Sequence, residues 1–226
     1  MTRTQRINHK DTERETMLGC TLSQIASLLS WFLFAIFISI LIEWIGMLAG
    51  WWDKTHARHM LTEEIGYLSH IDQNQLLRLH PAQLSGQAIT WVNEAYSFIG
   101  IPKALSILSQ YMGWLAIALS SAIDITYTLV IRLAVVLLAL PAFILWGLLG
   151  LVDGLVARDI RKACGGVESS FVYHRVKGWM KPAIALSSGL YLTLPFSINP
   201  ALFFIVPQLL FFTFVYYTAS TFKKFI

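Results

Sequence analysis

The sequence predicts an all-α, polytopic membrane protein with four transmembrane helices and a helical periplasmic segment between the first and the second. Of its 226 residues, 56% are hydrophobic and only 13% are charged, about half the charged fraction of a typical soluble protein. Such a chain cannot cover a water-facing surface with charge, so a soluble domain, a disordered chain and a disulfide scaffold are excluded. Uncharged runs also recur at the length that crosses a bilayer, about 20 residues.

The first predicted span, 19–50, contains most of an uncharged run that extends from 16 to 42. Signal peptides have a shorter apolar region of about 7–15 residues, so this run indicates an uncleaved anchor. The second predicted span, 125–152, contains an uncharged stretch with Pro141 inside it. A proline within a helix removes a hydrogen bond and favours a kink.

The third uncharged run, 182–222, is too long for one span and long enough for two. The segment 195–200 reads PFSINP, and such Asn-Pro and Ser/Asn clusters favour turns. The run therefore predicts a helical hairpin with spans at 182–198 and 201–222. The stretch 104–123 is also uncharged, but its serines and glutamine fit an interfacial or protein-packed helix better than a separate span.

Flanking Lys and Arg residues predict the orientation of the spans. The segment 51–124 contains only four of them, Lys54, Arg58, Arg78 and Lys103, whereas the other basic residues concentrate outside it. By the positive-inside rule, 51–124 is periplasmic and both termini are cytoplasmic in a bacterial inner membrane. The predicted cytoplasmic segments are 1–18, the loop 153–181 and the tail 223–226. Cys20 and Cys164 then both lie on the reducing side, which argues against a structural disulfide.

Two groups of polar residues are candidates for a metal site and for an ion pair. His56, His59 and Glu63 have the spacing H-x-x-H-x-x-x-E, which places them on one face of a helix. The spacing lacks the H-E-x-x-H pattern of zinc enzymes, so we expect a polar surface there and no metal or cofactor. Glu43 and Arg132 lie within predicted spans, where ionisable groups usually pair. We expect them to form an ion pair, with snorkelling of each side chain to the headgroups as the alternative.

The loop after the second span begins with D-G-x-x-A-R, which is the first half of the signature of CDP-alcohol phosphatidyltransferases. Those enzymes continue with two aspartates that hold metal ions against a pyrophosphate. Their continuation, G-x-x-x-D-x-x-x-D, falls here on Val167, Phe171 and Arg175, so neither aspartate position has a carboxylate. We therefore expect no enzyme of this class, and the chain has no Walker loop or nucleophile elbow that would indicate another.

The whole stretch VDGLVARDIRKACGGVESSFVYHRVK resembles the cytoplasmic loop of TraJ-like inner-membrane proteins of integrating conjugative elements, which are encoded beside the type IV coupling ATPase. The resemblance implies a non-enzymatic accessory subunit that binds and positions this hexameric ATPase during DNA transfer. It implies partner contacts through Asp153, Arg158, Asp159, Arg161, Lys162, Glu168, Tyr173, His174 and Lys177, while Gly154, Gly166 and Ser169 complete the matching pattern.

The same basic residues would also contact lipid headgroups. Direct contact with nucleic acid is not expected from so few of them, and self-association stays open. A small transporter or channel component is the alternative function. It is disfavoured because the polar residues of the last two spans include none that ionises. These polar residues are Ser187, Ser188, Thr193, Gln208 and Thr213.

Overall fold

The computed structural model describes residues 3–69, 80–164 and 170–222. Within these ranges the chain forms seven α-helices and no strand, which confirms the all-α class. The helices are α1 (Arg3–Leu48), α2 (His56–Ser69), α3 (Pro81–Ile99), α4 (Ile101–Tyr111), α5 (Gly113–Ala163), α6 (Ser170–Thr193) and α7 (Pro200–Ser220).

The long helix α5 is the centre of the fold and contacts all six other helices. Its 51 residues extend about 76 Å at 1.5 Å per residue, more than twice the bilayer core of about 30 Å. The helix continues through Pro141 and ends only at Ala163. The first part of the predicted loop 153–181 is therefore a helical extension of the second predicted span, because it contains several good helix formers. These residues are Leu155, Ala157, Arg158, Arg161 and Lys162.

Helices α5 and α7 pack side by side in parallel, and three glycines on α5 let them approach closely. A side chain at Gly147 would meet the ring of Phe211. A Cβ at Gly150 would lie 2.6 Å from the carbonyl oxygen of Phe212, and one at Gly154 would lie 2.6 Å from that of Tyr216. Small residues at such a seam permit backbone contact between membrane helices.

Helices α6 and α7 form a hairpin whose connection is non-helical from 194 to 199, where the PFSINP segment predicts a turn. Asn199 begins α7 by accepting a hydrogen bond from the backbone N–H of Ala201 at 3.0 Å. Pro200 follows at the first helical position, where the missing N–H costs nothing. Helix α6 ends at Thr193, short of the predicted end of the third span at 198.

Three described helices are long and apolar enough to cross a membrane. They contain the candidate spans Leu22–Leu48, Gly113–Ala163 and Pro200–Ser220, which is consistent with a membrane location. The third predicted span, 182–198, lies on α6 and the connection after it and is not among these three.

The segment that follows α1 is helical in its described parts. Helices α2, α3 and α4 each pack against α5, and Gly100, with φ of 84°, separates α3 from α4. The chain leaves the helical conformation at Met112, between α4 and α5. The stretch 104–123 is therefore divided between α4 and the beginning of α5.

Candidate functional site

A buried arginine joins three elements of the fold. On α5, Arg132 donates from Nε to Oε1 of Glu64 on α2 at 2.8 Å. Its two terminal nitrogens donate to backbone carbonyls after α6: Nη1 to Leu194 at 2.6 Å and Nη2 to Phe196 at 2.7 Å. Nη1 also donates to the Leu192 carbonyl in the last turn of α6 at 3.4 Å, where the last carbonyls of a helix have no partner within the helix. The guanidinium therefore holds the end of α6 and the connection that follows it.

Tyr191 on α6 completes this group. Its hydroxyl donates to Oε2 of Glu64 at 3.2 Å, so both carboxylate oxygens of Glu64 are occupied. The guanidinium of Arg132 also lies over the Tyr191 ring, 5.5 Å from its centroid. All three side chains are almost fully buried, with at most 2% of each residue exposed.

A second buried carboxylate lies near the end of α1. Oε2 of Glu43 is 3.0 Å from Nδ1 of His56, and the indole of Trp52 stacks on the imidazole with 4.6 Å between ring centroids. The Trp52 Nε1 donates to the backbone carbonyl of Glu43 at 3.3 Å. A side chain at Gly46 would overlap the Trp52 ring. The other oxygen, Oε1 of Glu43, is buried with no hydrogen-bond partner among the residues that the structure describes.

The expected ion pair between Glu43 and Arg132 is not the one in the structure. Both residues are buried and paired, as reasoned for ionisable groups within spans, but each has a different partner on α2. Both partners come from α2, which lies between α1 and α5 in the sequence. Its His56 contacts Glu43, and its Glu64 contacts Arg132. We define Glu43, His56, Glu64, Arg132 and Tyr191 as the buried polar network.

The H-x-x-H-x-x-x-E pattern is divided between two environments. His56 pairs with Glu43, whereas His59 and Glu63, on the same face of α2, are exposed. No group of three metal-ligating side chains occurs among the described residues. His70, which the sequence places nearby, lies outside the described residues.

Two contacts on the outer segment hold α2 and α3 against α5. Arg58 donates to Asp124 at 3.4 Å, and the Tyr127 hydroxyl donates to Oδ1 of Asn93. The rings of Tyr96 and Tyr127 meet edge to face, 5.8 Å apart. Burial raises the pKa of the Tyr96 hydroxyl above its ordinary value, which keeps this phenol neutral.

The residues expected to contact a partner begin on the last turns of α5. Asp153 and Lys162 are exposed, and Arg158 donates to the adjacent Asp159 at 3.4 Å. Arg161 instead donates to the backbone carbonyl of Ser220 at the end of α7, at 3.0 Å. A cation there also complements the negative end of the helix dipole, so Arg161 has a structural contact of its own.

The remaining residues expected to contact a partner lie wholly or partly outside the described part of the chain. Glu168 and Gly166 lie outside the described residues. Tyr173, His174 and Lys177 belong to the backbone of α6, but their side chains lie outside the described part of the chain. Gly154 of the same motif lies in the seam with α7, which gives it a packing role.

Glu64 and Tyr191 were not predicted from the sequence as members of the buried polar network. A local signal existed for Glu64, because the buried positions of α2 are Ala57, Met60, Glu64 and Leu68, spaced three or four residues apart. A carboxylate in an otherwise apolar helical stripe indicates a buried partner. Tyr191 carries no such signal, since aromatic residues are common in apolar helices.

The described residues form helices without strands, and three of these helices are long and apolar enough to cross a membrane, which is consistent with a helical membrane protein. Residues 51–223 match the model of a family described as IncC plasmid conjugative DNA transfer protein DtrJ-like. The chain therefore belongs to the DtrJ-like family of conjugative DNA transfer proteins. This confirms the expected association with conjugation. No curated protein and no solved structure matches the chain.

Proposed function

We propose that this protein is an accessory inner-membrane subunit of a type IV secretion apparatus, which binds the coupling ATPase and stabilises or positions it during DNA transfer. The observation that carries the proposal is the family match over residues 51–223. It is supported by the resemblance of 153–177 to the cytoplasmic loop of proteins encoded beside that ATPase. The TraJ-like relationship and the link to integrating elements are part of the same proposal.

The proposed topology has four spans, with both termini in the cytoplasm and 51–124 in the periplasm. The antiparallel α6–α7 hairpin supports a fourth span, because α7 alone has the length of one bilayer core and α6 returns beside it. The buried polar network then lies at the periplasmic end of the hairpin. The contact of Arg161 with Ser220 lies at its cytoplasmic end.

We propose that the role is one of binding and not of catalysis. After the signature D-G-x-x-A-R, Phe171 and Arg175 stand at the two positions where a phosphatidyltransferase needs metal-binding aspartates. The charges of Arg132 and Glu64 are paired with each other in the interior of the fold. Such an arrangement fixes the relative position of helices, which is what a docking platform requires.

The proposal is tested by a mating assay with an in-frame deletion of the gene. We expect transfer to fall and to be restored by the wild-type gene. Complementation with the double variant Arg158→Ala/Lys162→Ala should restore transfer only in part. Lys103→Ala, which removes an exposed lysine on the opposite side of the proposed membrane, is the matched control and should restore it fully. Unchanged transfer after deletion would contradict the proposed function.

A further inference from the structure

The cytoplasmic half of α5 has two faces of different character. One face carries Gly147, Gly150 and Gly154 and packs against α7. The opposite face is an apolar stripe at helical spacing whose members are each 50% to 60% exposed. The members of this stripe are Leu145, Leu149, Val152, Val156 and Ile160.

Two acidic residues flank the end of the stripe. At 100° per residue, Asp153 lies about 20° beyond Ile160 on one edge of the stripe, and Asp159 lies about 20° beyond Val152 on the other. Asp153 is exposed and has no hydrogen bond or ion pair with the described residues. The side chain of Asp159 is 70% exposed, and its contact is with its chain neighbour Arg158. We call this surface, with its stripe and two acids, the acid-flanked face.

Of the three basic residues of the same turns, Arg158 and Arg161 lie on the α7 side of the helix. Lys162 is exposed and lies about 60° beyond Asp159, on the side of Asp159 away from the stripe. Arg161 donates to the end of α7, and only 21% of the Arg158 side chain is exposed. The basic charge that the sequence attributes to this segment is thus turned away from the stripe. The exposed charge beside the stripe is acidic.

The acidic charges beside the stripe distinguish among three surfaces that could cover it: the lipid, a second copy of this chain and a helix of another protein. The cytoplasmic leaflet is negatively charged and would repel two exposed acids, so lipid headgroups are poor neighbours. A second copy has the same orientation in the membrane, and a symmetric contact would place Asp153 and Asp159 against the same acids. A membrane helix with basic residues at its cytoplasmic end complements both the apolar stripe and the acids.

We propose that the acid-flanked face binds a transmembrane helix of another protein, whose cytoplasmic end presents Lys or Arg to Asp153 and Asp159. The positive-inside rule places such residues at that end of many membrane helices. The inference deepens the proposed function, on which it rests for the membrane topology. It assigns the partner contact to the face of a span, whereas the sequence alone assigned it to a basic loop.

The test uses a photo-crosslinking amino acid at Val156 in cells that carry the complete transfer region. Val206 on α7, which is 61% exposed, is the control position. We expect Val156 to give an adduct whose crosslinked peptide lies in a membrane helix with Lys or Arg at its cytoplasmic end, and Val206 not to give it. The variant Asp153→Lys/Asp159→Lys should lower its yield about tenfold, and reversing the partner's basic residues to Glu should restore it.

Three results would overturn the inference: a dimer of this chain as the main adduct, lipid adducts alone, or a yield that charge reversal leaves unchanged. The test separates this inference from the function proposed above. A charge-dependent adduct with a membrane protein other than the coupling ATPase would support the acid-flanked face and contradict the proposed partner. Loss of transfer on gene deletion, with no protein adduct at Val156, would support the proposed function and contradict the acid-flanked face.

Discussion

Arg132 and Glu64 form a buried ion pair at 2.8 Å between side chains that are 68 residues apart in the chain. The pair joins α2, which follows the first apolar helix, to the centre of α5. The same arginine binds backbone carbonyls at the end of α6 and in the connection that follows it. One residue thus fixes the outer segment and the α6–α7 hairpin to a common helix, and the geometry of the fold depends on it.

Replacing Glu64 by Ala should destabilise the fold by about 3–5 kcal/mol, because it leaves the charge of Arg132 buried without a carboxylate. Thermal unfolding of the purified protein in detergent measures this change. Glu63→Ala is the matched control, since Glu63 is the exposed neighbour on the same helix, and its unfolding temperature should stay at the wild-type value. Equal unfolding temperatures for the two variants would contradict the role of the pair.

Replacing both partners at once, as Glu64→Leu/Arg132→Met, should cost less than either single change. Apolar residues of similar volume remove both buried charges together. The comparison of the two single variants with the double variant is a double-mutant cycle. A double variant as unstable as the sum of the singles would show that Glu64 and Arg132 act independently.

Replacing Gly154 by Ala should weaken the packing of α7 on α5. The new Cβ would lie 2.6 Å from the Tyr216 carbonyl oxygen and 2.7 Å from the Cβ of Ala219, so the helices must separate. We expect a lower unfolding temperature for this variant. Gly178→Ala on α6 is the control, because a Cβ there meets no atom within 4 Å. The control should be neutral or slightly stabilising, as alanine favours helix.

Replacing His56 by Ala should loosen α2 from the end of α1. Neither carboxylate oxygen of Glu43 would then have a side-chain partner among the described residues. This should lower the free energy of unfolding by about 1–3 kcal/mol. Limited trypsin digestion near Lys54 and Arg58 in reconstituted membranes measures the loosening as faster cleavage. The control His59→Ala removes an exposed histidine one turn later. Cleavage at the wild-type rate in His56→Ala would contradict a role of the contact in holding α2.

The apolar runs of the sequence predicted most of the helices, because membrane-length helices follow from local composition. The PFSINP segment likewise predicted the break before Pro200, where a proline and an asparagine cap determine the turn locally. Charge indicates the side of the membrane but does not end a helix. For that reason the sequence placed a loop from 153, whereas α5 continues to Ala163.

The site was harder to predict for a related reason. Glu43 and Arg132 were recognised as groups that need buried partners, since a lone charge in an apolar helix is costly wherever it lies. Their partners His56 and Glu64 depend on how α2 packs between the spans, which is a tertiary property. The contact of Arg161 with the end of α7 is also a tertiary property, because donor and acceptor are 59 positions apart in the sequence.

Affinity purification in mild detergent, from cells that carry the whole transfer region, is the most direct test of the central claim that this protein binds the coupling ATPase. Mass spectrometry of the eluate identifies the partners, and Glu64→Ala shows whether the contact needs the intact fold. We expect the coupling ATPase to co-purify with the wild-type protein in a fixed ratio and to be reduced with the variant. A wild-type eluate that contains no coupling ATPase would contradict the claim.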